Sequence, residues 1–125
     1  MTAYSRGDVV LVGFIFTDES GRKLRPAVII SSSAYHRARQ EVVVAAITSN
    51  VKRRLFGDSL IRSWREAGLL FPSVVAGIIR TIKGTTIHRK LGSLEQDDLA
   101  TVERALRQSL ALRCVVAHRR HSGGW

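Results

Sequence analysis

Apolar positions in this chain follow two different rhythms. Up to about residue 91 they come as short runs rich in Val and Ile, broken by Gly, Pro, Asp and Ser; beyond residue 93 they recur every three or four positions. The first rhythm predicts strands and the second a helix. Residues 9–16 are so uniformly apolar that they predict a strand covered on both faces, with Gly13 marking a bend or a close backbone approach. Two further runs, Ala-Val-Ile-Ile at 27–30 and Val-Val-Val-Ala-Ala-Ile at 42–47, predict the arms of a long antiparallel hairpin. Pairing these arms symmetrically about the middle of the link faces Val28 with Ala45 and Arg25 with Thr48. The link itself, 33–40, carries His36, Arg37 and Arg39 and reads as a solvated turn or a second contact surface.

Further along, residues 60–61 predict a short strand and 63–67 one helical turn ended by Gly68, with Trp64 assigned to the core. Residues 73–80 predict another buried strand, 81–85 a turn, and 86–91 a last strand. Ser93 and Gln96 have capping-box spacing, and Asp97 and Asp98 suit the positive end of a helix dipole. Leu99, Val102, Leu106 and Leu110 then form one stripe, which predicts an amphipathic helix of about five turns over 94–112. The expected fold is mainly β: a small barrel or strongly bent sheet with a C-terminal amphipathic helix. Residues 1–112 make a single domain and 113–125 a basic tail.

At 125 residues the chain has room for one domain with a real core. Charge changes the picture more. Twenty Lys and Arg stand against ten Asp and Glu, for a net +10. Such a field favours a polyanion, nucleic acid first and an acidic protein second. One cysteine, Cys114, excludes an internal disulfide framework and a cysteine-rich zinc site. His118 and His121 in the tail do not make a metal site by themselves, so neither metal nor cofactor is expected. The longest nearly apolar run, 69–79, is broken by Pro72 and Ser73 and is shorter than the ~20 residues of a spanning helix. With no signal-like opening, a cytoplasmic protein without membrane contact is expected.

Candidate chemistry gathers at the open end of the hairpin. Pro26 biases Arg25 to an extended conformation, and the symmetric register sets Arg25 beside Thr48. A fixed guanidinium next to a hydroxyl, on rigid strands of a basic protein, suits a phosphodiester. The polar turn 17–22 ends close to Arg25 and is placed to gate such a site. After Thr48, the run Lys52-Arg53-Arg54 is followed by Phe56, which offers cations for phosphates and a ring for base stacking. Phe56 tucked into the core is the equal alternative. With Thr17, Arg22, Lys23, Ser49 and Asn50, these residues make up the candidate nucleic-acid-contacting set.

Several separated segments together resemble the MazF/PemK family of toxin endoribonucleases. They are Arg6-Gly-Asp-Val-Val-Leu-Val with Phe14, Lys23-Leu-Arg-Pro-Ala-Val-Ile-Ile-Ser, Ala46-Ile-Thr-Ser-Asn, and Ala67-Gly-Leu-Leu-Phe-Pro-Ser-Val-Val with the Arg80-Thr-Ile-Lys and Arg89-Lys-Leu-Gly-Ser-Leu that follow. The resemblance implies an SH3-like barrel of the MazF/PemK/CcdB type, a homodimer, metal-independent and sequence-selective cleavage of single-stranded RNA, and a cognate acidic antitoxin. It implies catalytic roles for Arg25 and Thr48. A non-enzymatic barrel toxin that inhibits DNA gyrase, as CcdB does, is one alternative, and an inactive RNA-binding homologue is another.

Overall fold

The computed structural model describes residues 4–15 and 22–113. Six strands carry the chain: β1 (Asp8–Ile15), β2 (Arg22–Ile29), β3 (Glu41–Thr48), β4 (Ser59–Ile61), β5 (Ser73–Lys83) and β6 (Ile87–Ser93). Two helices join them, α1 (Ser33–Arg39) between β2 and β3 and α2 (Gln96–Leu110) after β6. All pairings are antiparallel, in the order β4-β5-β3-β2-β1-β6. The sheet curls into a half-barrel with α2 packed on it, the mainly β architecture expected from the sequence.

The uniformly apolar run of β1 belongs to a strand buried on both faces, whereas β5, expected to be buried over 73–80, is buried only over Ser73–Ala76 and exposed at Gly77, Ile78 and Arg80. Along β1, Val9 enters one core with Val28, Ala45 and Ile47, while Val10 and Val12 enter a second with Ala27, Ile29, Val42 and Val44. Alternate residues of the same strand therefore serve opposite cores, which removes the polar alternation of a half-wet strand. Helix α2 covers the first core through buried Val102 and partly buried Leu99 and Leu106. Leu110, expected on the same stripe, is 54% exposed.

The hairpin register is the symmetric one: Ala27 faces Ala46, Val28 faces Ala45 and Ile29 faces Val44. Its link is not a solvated turn. Ser32 caps a helix by accepting the Tyr35 N–H at 3.2 Å, and Gln40 ends it in the left-handed region at φ 59°. His36 explains why a helix forms here. The ring is buried, Nδ1 lies 3.2 Å from the Tyr4 carbonyl, and Nε2 lies 2.6 Å from Ser31 Oγ. A carbonyl only accepts, so Nδ1 carries the proton and Nε2 accepts from Ser31, whose Oγ in turn receives the Val43 N–H at 2.9 Å.

Two other expectations change. Residues 81–83 continue β5, and the turn is a short 3-10 segment, Gly84–Thr86. The Ser93 capping box does not form. Its hydroxyl is drawn away to Asp8 Oδ1 at 3.0 Å, and α2 starts at Gln96 with no side-chain cap. Asp98 also does more than face a dipole. Its buried carboxylate accepts the Arg62 and Ser63 N–H groups at 3.0 and 2.9 Å, fastening the 62–68 turn to α2. An Asp98→Ala variant leaves two donors without their acceptor and is expected to lose about 3 kcal/mol of stability. Urea unfolding reads this directly, and a loss below about 1 kcal/mol would contradict it.

That turn ends in a backbone-to-backbone approach that only glycine allows. Gly68 has φ +86°, and a Cβ there would sit 2.1 Å from the Leu91 carbonyl oxygen. A Cβ on Gly92 would sit 2.5 Å from the Ala67 carbonyl oxygen. The pair presses the segment leading to β5 against β6, which shapes one wall of the site below.

Candidate functional site

Arg25 and Thr48 stand at the shared edge of two cavities. The first, about 460 Å³, opens between β3, β5 and the loop before β4; the second, about 440 Å³, opens between β1, β2, β6 and the segment at 68–73. Arg25, Ile47 and Thr48 line both. The structure thus brings the expected pair together, at the end of the hairpin where the register puts them. Thr48 Oγ1 accepts the Asn50 N–H at 3.1 Å, which fixes the hydroxyl while leaving its proton to donate outward.

The first cavity owes its shape to a bulge and one carboxylate. Between Ala45 and Ile47 of β3, the partner position on β5 jumps from Ile79 to Val75. The extra residues bow β5 outward and leave Ala76, Gly77 and Ile78 as a wall. Asp58 joins the loop to this wall, accepting the Gly77 N–H through Oδ1 at 2.9 Å and the Leu55 N–H through Oδ2 at 2.8 Å. Arg53, Leu55 and Phe56 are thereby held over the cavity. Phe56 is 79% exposed, so of its two readings the core one falls.

The remaining candidates divide. Asn50, Arg53 and Phe56 line the first cavity and Ser49 the second. Lys23, Lys52 and Arg54 are exposed but line neither. Thr17 lies outside the described residues, as do Cys114, His118 and His121; Arg22 enters β2, and its side chain is not described. The sequence reading missed Asp58, the β5 bulge and the second cavity's Phe71 and Arg89. A signal for Phe71 was present: Leu69-Leu70-Phe71 is too apolar for an ordinary loop, and Leu70 and Phe71 are 82% and 62% exposed.

The profile of the PemK-like, MazF-like toxins of type II toxin-antitoxin systems matches residues 5–110. The chain belongs to this family. Among solved structures, an endoribonuclease in complex with its cognate antitoxin from a mycobacterial species superposes with a TM-score of 0.71 at 22% identity, covering 90% of this chain and 99% of the other. The MazE-MazF complex (form II) from Deinococcus radiodurans gives 0.69 at 21% identity, covering 90% and 100%. The toxin MazF-mt6 of Mycobacterium tuberculosis gives 0.70 at 24% identity, covering 86% and 99%. Among proteins of curated function, none matches the chain in sequence.

Against this toxin-family fold, the chemistry of the site is narrow. Among the described residues lining the two cavities there is no histidine, and Asp58 is the sole carboxylate, with both oxygens engaged by backbone N–H groups. No three His, Cys, Asp or Glu of the described residues group as a metal ion would require. None of the described helices is long and apolar enough to cross a membrane. What the site offers is guanidinium charge, a held hydroxyl and an apolar surround.

Proposed function

We propose that this toxin-family chain is an endoribonuclease that cuts single-stranded RNA, mRNA included, at selected sequences, leaving 2′,3′-cyclic phosphate and 5′-hydroxyl ends. The observation that carries the reading is the joint position of Arg25 and Thr48 on the wall between two cavities. A strand laid across that wall presents a phosphate to both side chains and a flanking nucleotide to each cavity. The ribose 2′-oxygen attacks the adjacent phosphorus, the P–O5′ bond breaks, the 2′-hydroxyl proton leaves to solvent, and the 5′-oxygen takes up a proton. Arg25 places donors on the non-bridging oxygens as charge builds, and Thr48 donates to the phosphate or orients the attacking hydroxyl. No metal is required, because the nucleophile is already tethered beside its target.

Asn50, Arg53 and Phe56 contact RNA on the first cavity's side, with Ser49 on the second and Lys23, Lys52 and Arg54 supplying longer-range charge. Thr17 and Arg22 complete the set by their place in the sequence. The chain acts in the cytoplasm as a homodimer, residues 1–112 forming the toxin domain and 113–125 a basic tail. Its cognate antitoxin presents an acidic segment that folds over the two cavities and stops cleavage. The match to RNA-cleaving relatives in fold, and an arginine placed beside a threonine, both favour this reading over gyrase inhibition.

The test is incubation of the purified chain with a long single-stranded RNA in EDTA, with the cut ends mapped. Discrete cuts bearing cyclic phosphates are expected, from a species that scatters light as two chains. Intact RNA would contradict the enzymatic reading, and cuts that vanish in EDTA would contradict metal independence. An antitoxin complex that still cleaves would contradict the covered-cavity arrangement.

A further inference from the structure

The second cavity holds a cation for which the catalytic pair gives no account. Arg89 lies on β6, two strands from Arg25, which sets their Cα atoms ~10 Å apart at ~4.8 Å per strand spacing. Leu11 pairs with Arg89 on one side and with Pro26 on the other, so Arg89 stands in line with the residue next to Arg25. Its neighbour Lys90 is tied to Asp8 at 3.3 Å, whereas no carboxylate among the described residues pairs with Arg89. Between the two arginines the floor is apolar, made by Leu11, Leu69 and Leu91, and Phe71 stands at the rim. The Ser73 hydroxyl donates to the Phe71 carbonyl at 2.7 Å, so the rim is held in place.

An apolar slot with an exposed ring at its lip, and a cation at each end, matches a nucleotide of a single strand: base in the slot, one phosphate at each arginine. We infer that the second cavity binds the nucleotide next to the scissile phosphate, with Arg89 holding the following phosphate and Phe71 packing on the base. The inference rests on the RNA-cleaving reading for which phosphate is cut, and on geometry and charge for the binding itself.

Binding is therefore measured apart from cleavage, with a fluorescent 2′-O-methyl RNA that cannot be cut, across a salt series. Arg89→Ala is expected to weaken binding about 10-fold at low salt and to flatten the slope of log K against log salt by ~0.7, the value for one phosphate on a single strand. Arg89→Lys is expected to restore that slope. Phe71→Ala is expected to weaken binding about 10-fold with the slope unchanged, because stacking releases no counterion. On cleavable RNA, Arg89→Ala is expected to raise KM with kcat within about 2-fold.

An unchanged salt slope in Arg89→Ala overturns the inference and leaves the cavity to a protein partner. A loss of binding that tracks a fall in light-scattering mass overturns it in favour of a second copy of the chain. RNA that is bound with these slopes but never cut sinks the enzymatic reading and sustains the subsite. RNA that is not bound at all sinks both.

Discussion

Replacing Arg25 with Ala is expected to slow RNA cleavage at least ~100-fold while the protein stays folded. The magnitude follows from where charge develops. In the transition state the non-bridging oxygens carry more negative charge than in the bound substrate, and the guanidinium beside them is the group both cavities share at the proposed scissile position. An interaction that strengthens only in the transition state is lost from kcat rather than from KM. Stability is expected to change little, because Arg25 is exposed and the hairpin's paired positions begin beyond it, at buried Ala27 and partly buried Ala46. Arg25→Lys should recover part of the rate: it keeps the charge but loses the planar fork that addresses two oxygens at once. Matching thermal unfolding curves beside single-turnover rates separate the effects. Cleavage unchanged in Arg25→Ala would move the stabilising charge elsewhere, with Arg53 the nearest candidate in the first cavity.

The pairing behind that prediction was legible in the sequence: arms assumed to pair symmetrically about the link set Arg25 opposite Thr48, and the pairs Ala27–Ala46, Val28–Ala45 and Ile29–Val44 keep that register. The strands and the C-terminal helix were legible too: their burial is written in local periodicity. What stayed hidden depends on distant contacts. The α1 helix is short and weakly patterned, and it exists because His36 reaches back to Tyr4 and across to Ser31. The Ser93 cap looked sound locally, yet Asp8, 85 positions away, takes the hydroxyl. Nothing in its own neighbourhood singles out Asp58, because its tie to Gly77 depends on the bulge in β5. Arg89 was visible only as one of many cations, and nothing in its own neighbourhood says that Leu11 and Pro26 place it beside Arg25.

The second large effect concerns the substrate. An RNA carrying a single 2′-deoxyribose on the 5′ side of the cut is expected to resist cleavage there by ~10⁵-fold or more, and to bind nearly as well as the parent RNA. The size is the effective molarity lost when a tethered, aligned nucleophile is removed. Nothing in the site stands ready to replace it. A water would have to be activated by a base, and the described lining offers no histidine and a single carboxylate already accepting two backbone N–H groups. The same deoxy substitution placed elsewhere in the strand should leave the rate at the original cut within a few-fold, which separates loss of the nucleophile from loss of recognition. End mapping supplies the other half of the test. Cuts at the deoxy position, with ordinary phosphate ends in place of cyclic ones, would mean that water or a side chain attacks phosphorus. Arg25 would then serve a transition state reached without the ribose hydroxyl, and the search for a base would have to turn to residues outside the two cavities.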